Sequence, residues 1–235
     1  IRFNGDETEH FLSVNDHVMR LFVTVDAAFA AGARSITLVL PAYPYSRQHK
    51  RKGREGLTAS WFGRMLEYAG VSKVITLDIH SREIENALHQ MTLENLHASY
   101  QILRRLNQII DLKTTDLVVV SPDTGAIDRN KYFASNLHQP LALLYKERDY
   151  SKVSKDAGTS NITNMKLLGD VHGKTVFLAD DMLGTGGTLI KAMKYLKEMG
   201  ADKIICAVSL PLFTGEALSH FDKAYQEGAF YRVIG

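Results

Sequence analysis

Val176-Phe-Leu-Ala-Asp-Asp-Met-Leu-Gly-Thr-Gly-Gly-Thr188 decides how the rest of this chain is read. Val176 to Ala179 form a short apolar run of the kind that fills a parallel strand buried on both faces. Asp180 and Asp181 are expected where that strand ends. Gly184, Gly186 and Gly187 then permit a tight turn with positive φ and let a ligand come close to the backbone. Thr188 is expected to N-cap a helix running to about Met199, because Leu189, Ala192, Met193 and Leu196 recur at helical spacing. The N–H groups of such a turn and helix start, with the Thr185 and Thr188 hydroxyls, make a cradle for phosphate. A side chain at Gly186 is expected to deny the turn its conformation or to fill the phosphate's space. The carboxylates of Asp180 and Asp181 suit sugar hydroxyls or Mg²⁺ and repel the phosphate itself. No Gly-Lys-Ser/Thr follows, so the turn is not a Walker A loop.

The same rhythm of strand, polar loop and helix spreads outward from this stretch. Tyr100 to Ile110 reads as a helix, Leu117 to Ser121 as a strand ending in Pro122-Asp123-Thr124-Gly125, Asp128 to Leu137 as a helix and Leu141 to Tyr145 as a strand. Downstream, Ile204 to Leu210 is a strand stopped by Pro211, and Tyr231 to Gly235 looks like the beginning of another. Nearer the start, Asp16 to Ala31 is a helix, Ile36 to Leu40 a strand, Thr58 to Ala69 a helix and Val74 to Asp78 a strand. Such alternation predicts parallel sheets covered by helices. Two sets of it predict two α/β domains, 1–97 and 98–235, with the boundary near residues 92–99. The polar stretch from about Lys146 to Thr163 lacks periodicity and is expected to be a lid or a disordered segment. Residues 1–12 show no clear pattern.

The 235 residues suffice for one large domain or two small ones. A formal charge of +2 demands neither nucleic acid nor a membrane as partner. No run approaches the roughly 18 apolar residues of a membrane span, and no secretory leader is read in the sequence. The single cysteine, Cys206, lies in an apolar run and is expected to be a small buried residue in a reducing cytoplasm. A start at Ile1 and an end in a nascent strand lead us to expect a trimmed polypeptide.

Ligands of parallel α/β sheets collect outside the carboxyl ends of the strands. Polar groups recur there: Arg47 and Gln48, Asp78 and His80, Asp123, Lys146 and Arg148, then Asp180 and Asp181. Lys146 and Arg148, two apart on an extended chain, share a direction and suit a phosphoryl-transfer transition state. Alternatively they solubilise a loop, since Glu147 and Asp149 neutralise them. Asp78, His80 and Asp123 could contact a hydrated Mg²⁺ on a nucleotide, although His80 could as well cap a helix. Arg47 and the run His49 to Arg54 could neutralise a triphosphate, face solvent or bind nucleic acid.

Tyr45-Ser-Arg-Gln-His-Lys-Arg51 resembles the ATP-binding Tyr-Ala/Ser-Arg-Gln stretch of ribose-phosphate diphosphokinases, the 5-phosphoribosyl-1-diphosphate (PRPP) synthetases. Thr76-Leu-Asp-Ile-His80 is similar to their metal- and ATP-contacting Asp-Leu-His, and Ser121-Pro-Asp-Thr-Gly125 to their Ser-Pro-Asp-x-Gly. Tyr145-Lys-Glu-Arg-Asp-Tyr150 resembles their catalytic flexible-loop motif, especially in a longer bacterial branch. Ala179 to Thr188 resembles their PRPP loop, which true phosphoribosyltransferases share. Arg2-Phe-Asn-Gly-Asp6 resembles a segment that reaches a neighbouring subunit's ATP. The likeness runs from about Asn15 to the end in the family's order. Departures exist: Ala126 replaces a second glycine, and Gly184 replaces an acidic or small hydroxyl residue. The loop Arg47 to Arg54 is shorter, further strands are missing between about residues 12 and 15, and the N-terminal domain is expected to be incomplete.

The resemblance implies two phosphoribosyltransferase-type domains, each a mainly parallel sheet flanked by helices. It implies transfer of the diphosphoryl group of ATP to the C1 hydroxyl of ribose 5-phosphate, giving PRPP and AMP. Lys146 and Arg148 would be catalytic. ATP would lie on Arg47, Gln48 and His80, with Phe3 and Asp6 supplied by a neighbour in a homo-oligomer. Ribose 5-phosphate would lie on Asp180, Asp181, Thr185, Gly186, Gly187 and Thr188, and Mg²⁺ near His80 and Asp123. The alternatives are a phosphoribosyltransferase that uses PRPP and a non-catalytic regulatory homologue.

Overall fold

Ser13 decides where the first helix begins. Its hydroxyl accepts from the Asp16 N–H at 3.2 Å while the Asp16 carboxylate accepts from the Ser13 N–H at 2.8 Å, a reciprocal capping box. The computed structural model describes residues 2–3, 10–51, 53–148 and 162–235. They fall into two compact units, Ile1–Leu96 and His97–Gly235.

In the first unit, β1 (Arg2–Phe3) and β2 (His10–Phe11) pair antiparallel. There follow α1 (Val14–Ala30), β3 (Thr37–Val39), α2 (Thr58–Tyr68), β4 (Lys73–Leu77), a 3₁₀ turn at Arg82–Ala87 and β5 (Thr92–Leu96). The parallel sheet has the order β3-β4-β5. Alternation along β4 buries Val74 and Thr76. Val74 packs with Ala59, Phe62 and Leu66 of α2 and Val25 of α1. The Phe62 ring meets Phe22, Tyr43 and Tyr45 edge-on. Strand β5 occupies the stretch expected to be a domain boundary.

The second unit runs α3 (Ser99–Ile109), β6 (Leu117–Ser121), α4 (Ile127–Leu137), β7 (Leu141–Arg148), β8 (Ile162–Leu168), β9 (Thr175–Leu183), α5 (Gly187–Glu198), β10 (Lys203–Pro211), α6 (Ala217–Gln226) and β11 (Arg232–Ile234). The sheet order is β11-β10-β9-β6-β7-β8. All neighbours are parallel except β8, which runs antiparallel to β7. Alternate residues feed two cores. Val118, Val120, Val176, Leu178, Ile204 and Cys206 pack with α5 and α6 residues, whereas Leu117, Val119, Phe177, Ala179, Ile205 and Ala207 pack with residues of α3 and α4. Both faces are therefore covered, which is why these strands read as unbroken apolar runs.

Three readings of the sequence change. The stretch expected to be a lid or a disordered segment starts within the sheet, because Lys146 to Arg148 continue β7 and pair with β8, with a register shift between Glu147 and Arg148. Residues 149–161 lie outside the described residues, but Ile162 to Leu168 form a strand. Helix α6 fills a stretch in which no element was read. Finally, β9 runs on to Leu183, so Asp180 and Asp181 lie inside the strand and not past its end.

Chain order fixes the place of the crevice. From β6 the chain adds β7 and β8 on one side, then crosses to add β9, β10 and β11 on the other. The reversal lies between β6 and β9, and ligands of open α/β sheets bind outside the carboxyl ends at such a point.

Candidate functional site

At that point the sheet forks. Pairing between β6 and β9 ends at Val119 and Phe177, whereas β9 stays with β10 as far as Leu183 and Pro211. The fork is filled by Asn130 of α4, which is fully buried. Its Oδ1 accepts from the Ala179 N–H at 2.9 Å, and its Nδ2 donates to the carbonyls of Ala179 at 2.8 Å and Ala126 at 2.9 Å. Asp180 and Asp181 follow directly. The Asp181 N–H donates to Asp180 Oδ1 at 2.9 Å, and Arg129 Nη1 lies 3.7 Å from Asp180 Oδ1 and 3.9 Å from Asp181 Oδ1. Burial, then the charge of Asp181, then that of Asp123 push the Asp180 carboxyl up to about 7. Asp123 sits past the end of β6, where its Oδ1 accepts from the N–H groups of Gly125 and Ala126 at 3.0 and 3.1 Å.

The turn after β9 is built as a cradle, with one change from expectation. Gly186, at φ 72°, is the N-cap of α5, and Thr188 lies within the first turn. Gly186 has no side chain to cap this helix, so the leading N–H groups are left to other partners. The back of the turn is tied to the loop after β10. Leu212 and Phe213 N–H groups donate to the Leu183 carbonyl at 3.0 and 3.1 Å, and the Thr214 N–H donates to the Gly184 carbonyl at 3.2 Å. Phe213 adopts φ 44°, an uncommon conformation for an aromatic residue. A Cβ on Gly186 would collide with the Phe221 ring of α6. That side of Gly186 thus borders protein, where a phosphate space was expected.

In the first unit, Arg47, Gln48 and His80 are exposed. The loop after β3 and the end of β4 converge, with the His49 and His80 rings 5.2 Å apart and edge-on. Burial, then His80 and Lys50, lower the proton affinity of His49, whose buried Nδ1 has no hydrogen-bond partner among the described residues. Both approaches to this corner pass through left-handed backbone. Tyr45 has φ 59° and donates its hydroxyl to Asn15 Oδ1 at 2.6 Å. Asp78 has φ 42°, and the N–H of Ile79 donates to Asn95 Oδ1 of β5 at 2.9 Å.

Phe3 lies in β1, and Lys146 and Arg148 lie in β7. Asp6 lies outside the described residues. Arg129 and Asn130 escape the sequence reading altogether. Among the described residues, no group of three or more His, Cys, Asp or Glu side chains is placed to hold a metal ion, and no helix is long and apolar enough to cross a membrane.

Residues 89–225 match the phosphoribosyl transferase domain, and residues 8–70 match the N-terminal domain of ribose phosphate pyrophosphokinase. The chain belongs to the ribose-phosphate pyrophosphokinase family. Ribose-phosphate pyrophosphokinase 2 of Schizosaccharomyces pombe is 36% identical over 223 residues, covering 94% of this chain and 65% of its own length. The ribose-phosphate pyrophosphokinase of Mycoplasma pneumoniae is 38% identical over 216 residues, covering 92% of this chain and 62% of its own. A crystal structure of phosphoribosylpyrophosphate synthetase from Mycobacterium smegmatis is similar with a TM-score of 0.79 at 30% identity, covering 90% of this chain and 65% of that one. The chain therefore spans somewhat under two thirds of the length of these ribose-phosphate pyrophosphokinases.

Proposed function

We propose that this protein is a ribose-phosphate diphosphokinase, transferring the diphosphoryl group of ATP to the C1 hydroxyl of ribose 5-phosphate. The carrying observation is the forked crevice, where an acidic pair and an uncapped helix start stand side by side. That pairing suits a sugar phosphate. The N–H groups of Gly187 and Thr188, with the Thr185 and Thr188 hydroxyls, take the 5-phosphate behind the Gly186 turn. Asp180 and Asp181 accept hydrogen bonds from the 2- and 3-hydroxyls, and Arg129 balances part of their charge.

ATP is assigned to the first unit, on Arg47, Gln48 and His80, with Phe3 and Asp6 completing a neighbour's pocket in a homo-oligomer. The C1 hydroxyl oxygen attacks the β-phosphorus and releases its proton to solvent, the bond from that phosphorus to the AMP oxygen breaks, and AMP leaves. Lys146 and Arg148 are assigned to the charge that builds on the migrating group. Asp123 of the second unit offers the hard oxygen that Mg²⁺ prefers, and His80 of the first unit is assigned to Mg²⁺ through its hydration water. Bound Mg²⁺ would neutralise charge on the phosphate oxygens. The lone buried Cys206 suits a reducing compartment, and we assign the protein to the cytoplasm.

The test is an assay for AMP and PRPP with the protein, Mg²⁺, ATP and ribose 5-phosphate. Both products in equal amounts support the reading. Consumption of PRPP with a nucleobase, and no AMP from ATP, would replace it with a phosphoribosyltransferase. Binding of nucleotide without turnover would leave a regulatory homologue.

A further inference from the structure

Asn130 has no part in the ligand contacts assigned above, yet it is a fully buried polar side chain that bonds both the N–H and the C=O of Ala179. A parallel strand in the middle of a sheet takes hydrogen bonds from neighbours on both sides. Beyond Phe177, β9 has lost β6 as a neighbour but keeps β10. Ala179 would be left with its N–H and C=O unpaired in a buried place, which is costly. The Asn130 carboxamide supplies a donor and an acceptor in the geometry of a peptide group, so it pairs with both. Its second Nδ2 bond, to Ala126 in the turn of helix that starts α4, anchors the carboxamide from behind.

We propose that Asn130 is a positioning residue that stands in for the missing strand and sets the backbone on which Asp180 and Asp181 are presented. The inference rests on the reading of that acidic pair as the ribose site. The fork must open for a sugar to reach the carboxylates, so a real strand cannot run there. A side chain reaching in from α4 satisfies the backbone without closing the crevice. Arg129, one residue earlier on the same helix, reaches both carboxylates. The first turns of α4 thus hold the charges with one residue and the backbone with the next.

The experiment compares the full chain with Asn130→Ala and Asn130→Asp. Ribose 5-phosphate and a non-hydrolysable ATP analogue with Mg²⁺ are titrated separately by calorimetry, and amide exchange is followed along β9. Asn130→Ala should weaken ribose 5-phosphate by about tenfold or more, leave the ATP analogue unchanged, and speed exchange at Ala179 to Asp181 while Val176 to Leu178 stay protected. Asn130→Asp keeps the acceptor for the Ala179 N–H, so that amide should stay protected while ribose 5-phosphate still weakens. It carries the test alone if the alanine variant does not fold. In the unmutated protein, a scalar coupling across the hydrogen bond from the Ala179 nitrogen to the Asn130 carboxamide carbon is expected. Equal weakening of both ligands by either variant, unchanged exchange at Ala179 to Asp181 in Asn130→Ala, or no coupling in the unmutated protein would overturn the proposal. If the unmutated protein binds neither ligand, the functional reading fails, and the exchange data still decide whether Asn130 holds these carboxylates.

Discussion

Gly184 and Gly186 stand two apart in one turn and should respond oppositely to a methyl group. At Gly184 a Cβ would meet only Thr214 Oγ1, at an ordinary 3.5 Å. Gly184→Ala should be neutral or raise stability by about 0.4–1 kcal/mol through the unfolded chain. At Gly186 the backbone is left-handed and Phe221 occupies the space. Gly186→Ala should therefore cost about 1–2 kcal/mol for the conformation alone, with the displacement of Phe221 added. Thermal unfolding of the two variants checks the pair, and equal effects would mean the turn is more plastic than described. Asp180 gives a pH signature. Its carboxyl is raised from an ordinary 3.8 to about 7, so the folded state holds a proton that the unfolded chain has released. Its contribution to stability therefore falls as pH rises through that window. Asp180→Asn should gain on the parent protein between about pH 4 and about pH 7 in denaturant titrations, and a constant difference would contradict the assignment. Lys146, assigned to the migrating charge, should affect turnover more than binding. Lys146→Ala should lower kcat by about 10²-fold or more with little change in either KM, whereas an unchanged kcat would remove it from the mechanism.

Among the elements, Glu67 near the end of α2 is the unexpected anchor. One carboxylate oxygen, Oε1, accepts the N–H groups of His89 and Gln90 at 2.6 Å and Met91 at 2.9 Å, fixing the turn that leads into β5. Burial opposes its charge, but the three N–H bonds win and hold the carboxyl below its ordinary value. Its stabilisation is present above that value and lost as pH falls through the folded one. Glu67→Ala should lower Tm by about 5 °C at neutral pH and by less in acid, and equal losses would count against the anchor. Such contacts explain what the sequence conceals. Strands β6, β9 and β10 are legible because burial on both faces writes an unbroken apolar run. Strand β5, Thr92-Leu-Glu-Asn-Leu96, is an edge strand with polar residues at three of its five positions, and its place depends on Glu67, 25 residues before its first residue. Helix α6 buries only Ala217, Phe221 and Ala224 and exposes Leu218 and Tyr225, so its apolar face is faint. The glycines and carboxylates of the candidate site announce themselves by type and spacing. Arg129 and Asn130 do not, because the strand they serve lies 49 residues away for Asn130 and their partners are known only once the sheet is folded.

For the whole molecule, the assignment of Phe3 and Asp6 to a neighbour's pocket requires association. Sedimentation should therefore give a dimer or larger species, and a fully active monomer would end the idea of a shared site. The chain's one thiol, Cys206, belongs to the middle of β10, is fully buried, and is pushed well above its ordinary pKa by that burial and by the charge of Asp180. Alkylating reagents attack the thiolate, so they can reach it only when the six-stranded sheet opens. The first unit contains no cysteine. Labelling under native conditions is thus a clock for one half of the protein, since its rate reports opening of the second unit while the first stays silent. Set beside a probe on Trp61, which lies in the first unit, that clock would tell whether the halves of the chain come apart together or in turn.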